Sequence, residues 1–131
     1  MADITLFNEL KQLAEAEGMD LFGVVDANCF LDEKYTGKKP QDFFENIRSV
    51  VLLAAAVHNG AVEPLPAGRA EYTNTLMSAT AFLRVAAYKV ARRIEKKGFL
   101  ASIVPNEGSE FGYWYADKET LLANLSIKWA V

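Results

Sequence analysis

Ser49–Val57, reading SVVLLAAAV, is the stretch on which the fold of this 131-residue chain turns. It is apolar after Ser49 and does not alternate, so it reads as a strand with both faces buried, as in a parallel α/β sheet. Leu21–Asp26 (LFGVVD) reads as a second, short buried strand, rich in β-branched and aromatic residues. Leu100–Val104 (LASIV), stopped by Pro105, reads as a third. Helical patterns stand between them. Asp3 is placed to cap a helix over 4–17 with Leu6, Leu10 and Leu13 on one stripe, and Gly18 suits its left-handed end. Residues 27–39 read as loop, Pro40 opens a short helix over 41–47, and Gly60, Pro64, Pro66 and Gly68 mark another loop. A long helix follows over 69–97, ended by Gly98, and Asp117 caps a last one running to Val131. This alternation predicts a single α/β domain over 1–131, a layered, mostly parallel sheet with flanking helices.

Composition narrows the function classes. Hydrophobic residues make up 51% and charged residues 24%, the balance of a globular protein rather than a disordered one. A net charge of −3 argues against nucleic acid held through phosphates. The longest apolar run, Val50–Val57, falls far short of the ~20 residues of a membrane span, and Met1–Leu10 has no secretory pattern. A cytoplasmic protein is the expectation. Cys29 is the single cysteine, so this chain alone forms no internal disulfide and holds no iron–sulfur cluster.

Charge and hydropathy are uneven along the chain. Residues 1–66 carry eleven acidic and five basic side chains; residues 67–131 carry six and nine. Lys89, Arg92, Arg93, Lys96 and Lys97 gather at the end of the long helix, where cations complement the helix dipole. At 100° per residue, Tyr72, Leu76, Ala79, Leu83, Ala86, Val90 and Ile94 form one apolar stripe, with Met77, Ala81, Val85 and Tyr88 roughly opposite. That second stripe implies a further cover for the 70–97 helix: another copy in a homodimer, or a missing C-terminal region. The helical spacing of Leu121, Leu122, Leu125, Trp129 and Ala130 continues without a stop signal, as in a domain that ends on a frayed turn or in the front portion of a longer protein.

Familiar catalytic signatures are absent: no GxGxxG, Walker A loop, HExxH, GxSxG or CxxC. Cys29 lacks a cationic sequence neighbour and reads as an ordinary thiol. His58, the single histidine, follows the central strand, where ligands of open α/β sheets bind; it reads either as a surface residue or as a proton-exchanging one. Tyr72 and Asn74 open the long helix, Tyr72 also serving as the first rung of its core stripe. The aromatic, glycine-containing loop 106–115 either walls a flat ligand or pins itself to the domain.

Taken in order, GMDLFGVVDA at 18–27, IRSVVLLAAAV at 47–57, the proline-rich loop, EYTN at 71–74 and KKGFLASIVP at 96–105 resemble one family. It is the corrinoid- and iron–sulfur-dependent reductases: epoxyqueuosine reductases, reductive dehalogenases and their relatives. SIKWAV at 126–131 resembles the helix before that family's ferredoxin-type cysteines. The resemblance implies a nitroreductase-like fold, a cobalamin cofactor near His58, Tyr72 and Asn74, and [4Fe–4S] clusters only downstream of this chain. It implies an oxidoreductase of which this chain is the cobalamin-binding portion, not fully active alone. The family's proton donor matches no residue here, so the catalytic residue stays unassigned. Two other readings stand beside it: a stand-alone, non-catalytic ligand- or protein-binding domain, and a flavin-dependent nitroreductase. The concentration of basic residues at a helix C-terminus weakens the latter.

Overall fold

The computed structural model describes residues 3–34, 39–42 and 44–104. Helix α1 spans Ile4–Ala16, strand β1 Leu21–Asp26, strand β2 Ser49–Ala54, the short helix α2 Asn59–Val62 and the long helix α3 Arg69–Lys96. Single 3₁₀ turns occupy Ala27–Leu31 and Pro40–Asp42.

β1 and β2 form a two-stranded antiparallel sheet. Asp20 N–H donates to Ala54 O at one end and Ala27 N–H to Arg48 O at the other, so residue numbers rise along one strand as they fall along its partner. This overturns the layered, mostly parallel, nitroreductase-like sheet expected from the sequence. The physical reason lies between the strands. A parallel pair needs a crossover of a dozen or more residues, usually a helix, whereas an antiparallel pair does not. The connection over 27–48 is long enough for a crossover, but among its described residues the helix expected over 41–47 is only the 3₁₀ turn Pro40–Asp42, which leaves no crossover helix to return the chain. Nor is SVVLLAAAV buried on both faces: Leu53 alone is buried within β2, and the strand ends at Ala54 rather than Val57. Leu100–Val104 forms no strand. The expected helix from Asp117 and the 106–115 loop lie outside the described residues.

The chain divides into two compact units. In the one built from 3–22 and 53–104, α1 and α2 each pack against α3. Its buried apolar residues are Leu10, Ala14, Met19, Leu53, Ala61, Ala86 and Val90. Asp3 caps α1 as expected, its carboxylate accepting Leu6 N–H at 3.0 Å. The Phe7 and Phe22 rings meet edge-on, 5.4 Å between centroids, and tie α1 to the start of β1. Gly18 then turns the chain at φ +87°; a Cβ there would lie 2.9 Å from Phe82 Cζ. Only glycine meets both demands. In the unit containing 23–34, 39–42 and 44–52, the two 3₁₀ turns pack together. Gln41 Nε2 donates to Ala27 O at 2.7 Å, between the buried Pro40 and Ala27.

Part of the basic cluster on α3 serves as a clamp. Lys89 pairs with Glu17 at 2.8 Å, while Arg93 and Lys97 both reach Glu9, at 2.9 and 3.0 Å. The two cations, Lys97 foremost, hold the Glu9 carboxyl below its ordinary value of 4.5. A carboxyl with a depressed folded pKa stabilises the fold fully above its unfolded value and loses that contribution as pH falls through the folded one.

Two expectations follow. Wild type should melt higher than Glu9→Gln near pH 7, and thermal melts from pH 7 down to 2 should show the gap closing below about pH 4.5. In urea titrations, Gly98→Ala (φ +92°, open space) should cost about 1–2 kcal/mol of left-handed strain. Gly18→Ala should cost about 2–4 kcal/mol, because overpacking against Phe82 adds to the same strain.

Candidate functional site

Asp20, which sequence reasoning passed over, sets the exit from β2. Its N–H closes the sheet on Ala54 O at 2.8 Å, and its Oδ2 accepts Ala56 N–H at 2.6 Å. One residue thus satisfies a backbone group on either side of Ala55, just before His58. An Asp after a helix-ending glycine, directly before a strand, is the one sequence signal that could have found it. Such side chains bind nearby backbone readily.

His58 is the N-cap residue of α2 but makes no side-chain capping bond. It is exposed, and its ring lies beside Gly60, where a Cβ would sit 3.5 Å from His58 Cδ2. Buried Ala61 anchors α2 below it. The chain then winds through successive turns into α3: Leu65 N–H to Val62 O, Gly68 N–H to Pro64 O, Tyr72 N–H to Gly68 O. Tyr72 is half-buried, as its position on the inner stripe requires. Asn74 is exposed, and its backbone carbonyl accepts a hydrogen bond from Ser78 Oγ at 2.8 Å.

The structure therefore places His58, Tyr72 and Asn74 in one compact unit, on α2 and the α3 it packs against. Among the described residues, no hydrogen bond joins the three side chains to one another. The antiparallel sheet also removes the reason first given for His58, since the rule about strand ends belongs to parallel α/β sheets. What the residues offer is a set of donors and acceptors: an exposed imidazole, a phenol and a carboxamide. Cys29 is exposed. Among the described residues, no group of three His, Cys, Asp or Glu side chains is arranged to hold a metal, and no helix is long and apolar enough to cross a membrane.

Compared with protein families, with curated proteins and with solved structures, the chain matches none.

Asp20→Ala should release the segment that carries His58. Hydrogen exchange should show the Ala56 amide losing protection, with the α1 amides unchanged. Unaltered exchange at Ala56 would show that Asp20 does not hold this segment.

Proposed function

We propose that the chain is the cobalamin-binding portion of a corrinoid- and iron–sulfur-dependent oxidoreductase, related to the epoxyqueuosine reductases and reductive dehalogenases, and working in the cytoplasm. One observation carries it. EYTN opens α3 directly after the proline-rich turns, so Tyr72 and Asn74 enter the same compact unit as the exposed His58.

The donor set suits such a ligand. A corrin ring carries amide side chains at its rim, and a phenol and a carboxamide hydrogen-bond to amides in either direction. Small-molecule sites hold a mostly apolar ligand with a few such polar groups. His58 supplies an exposed imidazole, whose ring nitrogens can donate to or accept from the same rim amides. When bound, the corrinoid supplies reducing electrons through its cobalt. The chain's own residues bind and orient it. One thiol cannot ligate a [4Fe–4S] cluster, so the clusters of the family would belong to sequence beyond Cys29's chain.

Titrating the 131-residue chain with cob(II)alamin under anaerobic conditions tests this. Saturable spectral change should appear, with exchange protection over 55–62 and 68–75. His58→Ala and Asn74→Ala should each weaken binding by roughly tenfold, about one hydrogen bond apiece. A spectrum unchanged at millimolar cofactor, with no protection in either segment, would refute the proposal.

A further inference from the structure

Among the described residues, none covers the outer stripe of α3. Met77 is 66% exposed, Val85 53% and Tyr88 56%, and beside them Phe82 is 43% exposed, one edge against Gly18. Arg92 stacks on the Tyr88 ring, 5.7 Å from its centroid, and keeps that ring in the stripe. Together these four side chains present on the order of 400–500 Å² of mostly apolar surface, the size at which patches on soluble proteins serve contacts. That is about half of what each partner contributes to a standard interface, so the rest must come from the polar residues alongside.

Those residues carry a pattern. At 100° per residue, Glu71, Ser78, Val85 and Lys96 fall on one narrow row, with Arg92 beside it. The acid stands at the start of α3 and the cations stand at its end. Glu71 and Lys96 lie about 37 Å apart along the helix. Both are exposed, and among the described residues neither joins an ion pair. A parallel neighbour of the same sequence would set Lys89, Arg92 and Lys96 beside their own copies. An antiparallel neighbour sets Lys96 against Glu71 at both ends, Arg92 level with Thr75, and Val85 against Phe82 in the middle. It also opposes the two helix dipoles.

We infer that this face is a homodimer interface, in which two copies of the chain pair through α3, antiparallel about a two-fold axis near residues 81–85. Residues on the two flanks then meet their counterparts in the sense that a two-fold axis requires. Small Ala81 at the centre lets the helices approach closely. The interface is modest in area, and it forms a reversible dimer.

Sedimentation equilibrium of the full chain under reducing conditions, which keep Cys29 from cross-linking copies, tests the inference. Wild type should dimerise with a Kd on the order of 10–100 μM, the weak end for an interface of this size. Val85→Glu should raise Kd at least tenfold while the helical circular dichroism holds. Tyr88→Ser, milder to the fold, should do the same and stands in if the first variant unfolds. Lys96→Glu should weaken the dimer several-fold, and Glu71→Lys with Lys96→Glu should restore it. A chain that stays monomeric at 1 mM overturns the inference, and so does a dimer indifferent to Val85→Glu and Tyr88→Ser. A dimer that ignores the charge reversal overturns the antiparallel arrangement. No corrinoid enters this measurement, so its result stands apart from that of the cobalamin titration.

Discussion

Ala14 on α1 and Ala86 on α3 are almost entirely without exposed surface, and the packing of these two helices is the contact that the larger unit rests on. A two-stranded sheet is marginal in water by itself. The apolar core must therefore come from the helices. Small residues at the contact let the backbones approach, while Leu10, Met19 and Val90 fill the space around them. The charges at the rim add direction rather than bulk. Glu9 and Glu17 meet Arg93, Lys97 and Lys89, which fixes the rotation of α1 on α3. Surface pairs of this kind contribute little each, but three of them along one seam disfavour any slipped arrangement.

From that contact the rest is positioned in sequence. α1 ends at Ala16, Gly18 turns the chain against the Phe82 ring, and two residues remain before β1 starts. Asp20 falls where its backbone closes the sheet on Ala54 and its carboxylate takes up Ala56 N–H. The exit of β2 is thereby tied to the end of α1. His58 follows, then α2, then the turns that deliver Tyr72 and Asn74 on α3. The candidate ligand residues thus depend on helix packing far from them in the chain.

Local signals proved readable and pairing did not. The Asp3 cap, the glycines at 18 and 98, β1 and the span of α3 follow from capping chemistry, left-handed glycine and 3.6-residue periodicity, all decided within a few residues. The stripes of α3 were legible in part: Ala86 and Val90 are buried and Met77, Val85 and Tyr88 exposed as the helical angle requires, but Leu76, on the expected inner stripe, is 39% exposed because the cover of α3 does not extend evenly along the helix. Strand direction is a different kind of property. An unbroken apolar run such as SVVLLAAAV is compatible with parallel burial and with an antiparallel strand whose flanks are only half covered, and nothing within the run distinguishes them. LASIV has strand composition, yet Leu100 and Ile103 remain exposed with no ladder to join. Part of the cation cluster at the end of α3 was legible as dipole compensation, while its role in gripping α1 depends on partners some seventy or more residues away.

That separation has a consequence during synthesis. Glu17 precedes Lys89 by 72 residues, and Glu9 precedes Arg93 by 84. At roughly 5–20 residues per second, α1 exists for several seconds before the helix that covers it has been translated. Through that interval its Leu10 and Ala14 stripe has nothing to bury against, and an isolated helix of 13 residues is marginal in water. Until α3 follows, the nascent chain therefore presents an apolar, weakly structured segment to whatever holds emerging polypeptides near the ribosome, and the unit assembles only when that helix arrives.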